Sequence, residues 1–318
     1  MAEYAQYSEV SPQWTQFVAS QPLLADLDRV GIVERKRIFG EIEAQIPERT
    51  VQDDVTERTV TVTEFTIPAC DGYPIPVRSY VPTSARPDAS LRPLLIYLHA
   101  GGFLFGPQQR RPELSSICGE TKHQRAECDY LLALKWPFPY GVNDSYDATA
   151  CAARNSEAHL AASPNTGFLA GGISSGANLA GVIAYTARDA RSSPLIRGLF
   201  ISIPVCIMPQ EYAAAQQNAE NPLLTPKSLM DIQELYVCPP EDPRISFLLN
   251  KDQTGLSGRA YFQICGRDPL RDEAFLWQKL LAEYSGTKTR LDDVVVEGIA
   301  FLTKGEEPVQ QTEVIVKS

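Results

Sequence analysis

The stretch Gly167-Phe168-Leu169-Ala170-Gly171-Gly172-Ile173-Ser174-Ser175-Gly176-Ala177-Asn178-Leu179-Ala180 decides the fold. Gly167–Gly172 is a short, mostly apolar run, as in a strand buried on both faces. Ser175–Arg188 then reads as a helix. Between them lies Gly172-Ile173-Ser174-Ser175-Gly176, a G-x-S-x-G pattern at a strand-to-helix turn. Such a turn lifts the serine hydroxyl above the sheet, and the flanking glycines let the backbone make it. The helix N-terminus adds positive potential where an oxyanion would develop. Ser174 is therefore the candidate nucleophile, and small residues in an ordinary βα turn are the bland alternative.

Working outward, Thr59–Ile67 and Ile75–Val81 read as strands joined by a turn at Asp71-Gly72. Arg92–His99, Leu199–Val205 and Ala260–Gly266 are further apolar strand runs. Helical patterns at Val142–Leu160, Ser175–Arg188 and Asp272–Tyr284 separate them. Strands alternating with helices predict a mostly parallel sheet covered on both faces. Residues 1–50 carry Leu23, Leu24, Leu27, Val30, Ile32 and Ile38 at roughly helical spacing, either as part of a lid or as plain packing helices. Gln210–Asp242 is polar and proline-bearing, a candidate second part of such a lid.

Two more motifs follow strands. His99-Ala100-Gly101-Gly102-Phe103 ends the third strand. The backbone N–H groups of Gly101 and Gly102, with that of Ser175, would form an oxyanion hole; a simple glycine turn is the alternative. His99 reads as a loop-fixing residue, not a base. Gly266-Arg267-Asp268-Pro269-Leu270-Arg271-Asp272-Glu273 lies beyond the last apolar strand. Asp268 stands where a carboxylate would hold an imidazole, while Asp272 caps or opens the next helix.

Together these residues resemble the hormone-sensitive-lipase family of α/β-hydrolases, from about Val60 to the C-terminus. The family pattern appears in order as HAGG at 99–102, DYLLALK at 129–135, Phe138-Pro139, GISSGAN at 172–178 and DPLRDE at 268–273. The resemblance implies an α/β-hydrolase fold: a mostly parallel central sheet, helices on both faces and an N-terminal helical lid. Residues 1–50 would be the lid segment and 51–318 the hydrolase domain, one domain overall. It also implies carboxylic ester hydrolysis by a Ser-Asp-His triad. Carried over by position, Ser174 is the nucleophile, Asp268 the acid, and Gly101, Gly102 and Ser175 the oxyanion donors.

The departures concern the base. The family's histidine follows the last strand in a P-H-G-F-like loop. This chain has three histidines, His99, His123 and His159, and all precede Ser174. Either Ile299 in Gly298-Ile299-Ala300-Phe301 replaces it, or the loop is deleted and Val294–Leu302 is already the final helix. The sequence favours deletion, because residues 293–302 resemble that helix. Neither His159, near a helix end, nor His123, in a polar segment, is a good substitute base. His123–Cys128 is polar where the family has a buried strand, Leu131, Leu134 and Lys135 replace its arginine and proline-glutamate, and Ile173 replaces an acidic residue.

A net charge of −10 argues against nucleic acid and anionic membranes as partners. Cys70, Cys118, Cys128, Cys151, Cys206, Cys238 and Cys265 form no C-x-x-C pair, and suggest reduced, mostly buried thiols in a cytoplasmic protein. No signal peptide, membrane span, metal site or cofactor is expected. Three functions remain open. One is an ester hydrolase impaired by loss of the histidine. Another is an auxiliary enzyme of small-molecule biosynthesis, since MAEYAQYSEVSPQW resembles filamentous-fungal members, some serving toxin or polyketide pathways. The third is a non-catalytic small-molecule binder like the gibberellin receptors. Each takes a small ester or acid as its ligand.

Overall fold

The computed structural model describes residues 3–22, 27, 29–45, 60–83, 92–106, 124–160, 162–208, 213–256 and 258–291. Cys118, His123 and both alternatives for residues 293–302 lie outside them, as does part of the 1–50 segment.

Eight strands are described: β1 (Val60–Pro68), β2 (Pro74–Pro82), β3 (Leu94–Leu98), β4 (Gln124–Cys128), β5 (Phe168–Ile173), β6 (Gly198–Ser202), β7 (Arg259–Gln263) and β8 (Lys288–Leu291). They form one sheet in the order β1-β2-β4-β3-β5-β6-β7-β8. β1 and β4 run antiparallel to β2, and every pairing from β4 through β8 is parallel. The order reverses at β3, between β4 and β5, the kind of switch point where the carboxyl ends of strands open a crevice. The helices are α1 (Pro12–Ser20), α2 (Ile32–Gln45), α3 (Tyr140–Leu160), α4 (Ser175–Asp189), α5 (Ala213–Gln217), α6 (Pro226–Tyr236) and α7 (Arg271–Tyr284). None of the described helices is long and apolar enough to cross a membrane.

Strand alternation splits the core. Leu94, Ile96 and Leu98 join residues of α3, α4 and α7 in one buried cluster. Leu95 and Tyr97 point the other way, with Leu169, Phe200 and Tyr261; no described helix contributes to that second cluster. In the first, Trp277 of α7 is wholly buried against Phe247 and Phe262, with ring centroids 4.5 and 5.5 Å away.

β4 is the strand that polarity hides. Its residues Gln-Arg-Ala-Glu-Cys are all buried in the middle of the sheet. Glu127 is tolerated there because register gives it partners. Glu64, Arg78 and Glu127 stand opposite one another across β1, β2 and β4. Arg78 reaches Glu64 Oε1 at 2.9 Å and Glu127 Oε2 at 3.5 Å, and the Tyr80 hydroxyl donates to Glu127 at 3.1 Å. Opposite charges on neighbouring strands stabilise that pairing.

The six described cysteines are free. Cys128, Cys206 and Cys238 are buried, Cys151 is half-buried, and Cys70 and Cys265 are exposed, fewer buried thiols than the sequence suggests.

Candidate active site

Ser174 occupies the turn between β5 and α4 with φ 54° and ψ −117°. A non-glycine residue in that region is strained, and it persists where the surroundings over-determine it. Both backbone groups of Ser174 are held: its N–H donates to Ser202 O at 2.9 Å, and its carbonyl accepts from Asn178 N at 3.0 Å. Gly176 explains the second glycine of the motif. A Cβ there would collide with the backbone carbonyls of Leu98 and His99, so β3 and α4 approach this closely only over glycine.

Asn178 gains a role that the sequence did not give it. Wholly buried, it donates from Nδ2 to Val205 O at 2.8 Å and Ile245 O at 2.7 Å, tying the first turn of α4 to two loops. Asn178→Ala leaves two buried carbonyls without a donor. We expect it to cost about 2–3 kcal/mol in urea unfolding; an unchanged midpoint would refute the tie.

The loop after β3 is braced from below. His99 is wholly buried and stacks on Tyr130 at 4.1 Å with an interplanar angle of 6°. Its Nδ1 donates to Ala100 O at 2.7 Å, and Nε2 lies 3.6 Å from Asp129 Oδ1. The Tyr130 hydroxyl donates to His99 O at 2.8 Å and lies 3.4 Å from Ser175 Oγ. Tyr130 thus links the glycine loop to the turn at Ser174, a role the D-Y pair alone did not disclose. Gly101 has φ 129°, and a Cβ there would strike the Phe105 carbonyl, whose chain doubles back to donate from Leu104 and Phe105 N to Gly101 O, each at 3.0 Å. His159 is in the last turn of α3, ahead of Ala162, which bridges to Arg92 before β3. That is the amino edge of the parallel strands, opposite the edge that carries Ser174.

Asp268 follows β7, two strands along from β5 on the same carboxyl edge. It is 8% exposed, and Leu270 N donates to its Oδ1 at 2.8 Å. No described residue donates to its other oxygen. Burial pushes its carboxyl up to about 7, against the opposing pull of the Leu270 N–H and the Arg271 charge. Asp272 opens α7, but its side chain caps elsewhere: Oδ2 accepts from Ala214 N of α5 at 3.0 Å and Oδ1 from Arg271 Nε at 2.9 Å. Glu273 is wholly buried and accepts from Cys206 N at 2.7 Å, its carboxyl raised well above the usual range by burial.

Ser174, Gly101 and Gly102 line a single cavity of about 320 Å³. Ile32, Arg35, Lys36, Phe39 and Gly40 of α2 form one wall, and Ser228 and Ile232 of α6 another. Asp268 and Ser175 are not in its lining. A larger cavity of about 510 Å³ lies between α3 and β1, β2 and β4. It reaches neither Ser174 nor the glycine loop, so size does not make it the reaction site.

Residues 95–302 match the family described as alpha/beta hydrolase fold. An AB hydrolase superfamily protein of Schizosaccharomyces pombe is 29% identical over 306 residues, covering 92% of this chain and 86% of that protein. The carboxylic ester hydrolase LipN of Mycobacterium tuberculosis is 30% identical over 237 residues, or 70% of this chain and 59% of LipN. Among solved structures, vibralactone cyclase superposes with a TM-score of 0.76 at 24% identity, covering 94% of this chain and 96% of that one. That likeness speaks for the fold.

Proposed function

Because the chain belongs to the alpha/beta hydrolase fold family, we propose that it is a carboxylic ester hydrolase of the serine type, impaired by loss of the triad histidine. Ser174 is the nucleophile, Gly101, Gly102 and Ser175 supply the oxyanion N–H groups, and Asp268 is the acid. The observation that carries the reading is the strained Ser174 turn opening on the cavity that Gly101 and Gly102 also line. Strain held in place at a nucleophile is the usual form of a pre-organised site.

In the reaction, Ser174 Oγ bonds to the acyl carbon and loses its proton, and the carbonyl oxygen becomes an anion stabilised by the three N–H groups. Collapse breaks the bond to the alcohol, which leaves with a proton, and water then releases the acid from the serine. The proton from Ser174 is the weak point, since no histidine follows it in the sequence. Residues 1–50 act as a lid over a single hydrolase domain spanning 51–318, with α2 over the cavity. The protein works in the cytoplasm, where its free thiols stay reduced.

A fluorophosphonate probe tests the assignment. It should add covalently to Ser174, read by peptide mass, and the Ser174→Ala variant should take up none. Labelling that survives Ser174→Ala would reject the nucleophile.

The absence of a histidine after Ser174 in the sequence, and of a donor to the second Asp268 oxygen among the described residues, favours a second reading, in which the cavity binds a small ester or acid without turning it over. An auxiliary biosynthetic enzyme using the same cavity is the third. Thermal stabilisation by such a ligand with no turnover would move the assignment to the second.

A further inference from the structure

The face that α2 turns to the cavity comprises Ile32, Arg35, Lys36, Phe39 and Gly40, the i, i+3, i+4, i+7, i+8 set of one helical stripe. A stripe covering an apolar cavity is ordinarily apolar. Ile32 and Phe39 conform; the two cations do not. Arg35 has a structural explanation. It is buried, its Nε donates to Leu27 O at 2.7 Å, and its guanidinium meets Asp231 Oδ2 of α6 at 2.8 Å, which fastens α2 to α6. Lys227 reinforces the same carboxylate at 3.0 Å.

Lys36 has no such explanation: no described residue bonds or pairs with its ammonium. On the outer side of α2, Arg37 is bonded to Glu34 and Glu41. The remaining polar side chains among the described residues of the cavity wall are Ser174 and Ser228. Ser228 is spent on capping α6, donating to Thr225 Oγ1 from its N–H at 3.1 Å and accepting from Thr225 N at 2.8 Å. Among the described residues no aspartate or glutamate lines the cavity, although the chain as a whole carries a net charge of −10. Lys36 and Ser174 thus line the same cavity, and no described acidic residue there meets the lysine's charge.

We propose that the cavity takes an ester bearing a second, free carboxylate, which Lys36 holds while the acyl carbonyl lies against Ser174 and the glycine loop. The substrate class is thus the half-ester of a small dicarboxylic acid; a volume of about 320 Å³ is at the small end of ligand sites. This rests on the reading of Ser174 and the glycine loop as the ester site. Lysine suits the task because its ammonium is a point charge that needs no fixed fork geometry. Lys36 is exposed, so solvent and salt moderate its pull.

The test compares monomethyl glutarate with dimethyl glutarate by calorimetry, at low and high salt. Wild type should prefer the monoanion by about threefold to tenfold at low salt, and the preference should shrink as salt rises. Lys36→Gln should bring the ratio of the two affinities to about one, and Lys36→Arg should restore it. Lys251→Gln, outside the cavity lining, should keep the wild-type ratio. Circular dichroism establishes that each variant is folded. A wild-type ratio near one, or a preference that survives Lys36→Gln, overturns the proposal. If Ser174 still takes the fluorophosphonate and the diester still binds, the anion proposal falls alone. If neither compound binds and Ser174 is not labelled, the ester site falls and the anion proposal with it.

Discussion

On p-nitrophenyl acetate and butyrate the purified protein should turn over about 10²–10⁴-fold more slowly than an ordinary enzyme rate of ~10 s⁻¹. The reason is the base. At neutral pH a serine hydroxyl is almost wholly protonated, and general-base assistance is worth about that factor. Neither described histidine supplies it by position. His99 is buried beneath the glycine loop, stacked on Tyr130 and donating to Ala100 O. His159 belongs to the last turn of α3, at the amino edge of the strands. His123 lies outside the described residues and precedes β4 in the chain. Oxyanion donors and binding alone still leave about 10³–10⁴-fold acceleration over water, so a slow Ser174-dependent rate should remain measurable. Ser174→Ala should abolish it. A wild-type rate near ~10 s⁻¹ that Ser174→Ala removes would mean that another group takes the proton, and would overturn the impairment.

The parts of this site legible in the sequence are those whose signal is local. Gly167–Asn178 announces its strand, turn and helix because glycine, apolar run and helical spacing all fall within one short stretch. The glycine loop after β3 and the Asp268 turn after β7 are legible for the same reason: each directly follows an apolar strand. β4 was not, because Gln124, Arg125 and Glu127 read as surface residues until register sets Glu127 opposite Arg78. A sequence shows which residues are polar, but not which strand will stand beside them. Tyr130 and Asn178 were hidden likewise, since each acts by bonding a carbonyl distant in the chain. The wall that α2 lends to the cavity, with Arg35 fastened to Asp231, joins residues 196 apart in the chain. No periodicity within α2 predicts that pairing.

Asp268→Asn should make the protein more stable at pH 8 and leave it nearly unchanged at pH 4. In a complete triad the carboxylate at this place accepts a hydrogen bond from an imidazole N–H, which compensates its burial. Here the carboxyl is buried, receives one hydrogen bond among the described residues, from Leu270 N, and is pushed up to about 7. In the unfolded chain an aspartate titrates at ~3.9. Below pH ~4 both states hold the proton and folding is indifferent to it. Between ~4 and about 7 the native state keeps a proton that the unfolded chain has released, so stability falls as pH rises. Above about 7 the full penalty of a buried anion is present, about 4 kcal/mol for that interval. Asparagine keeps an oxygen for the Leu270 N–H and never ionises, so it removes the slope due to this residue. Glu273 and Asp144, the latter pushed up to about 6, are also raised by burial and tilt the wild-type profile the same way. The difference between variant and wild type isolates the share of Asp268. Urea unfolding at pH 4, 6 and 8 should show that difference widening with pH. A constant difference, or a variant less stable than wild type at pH 8, would mean that the folded protein compensates the ionised Asp268 carboxylate, and would refute the burial penalty.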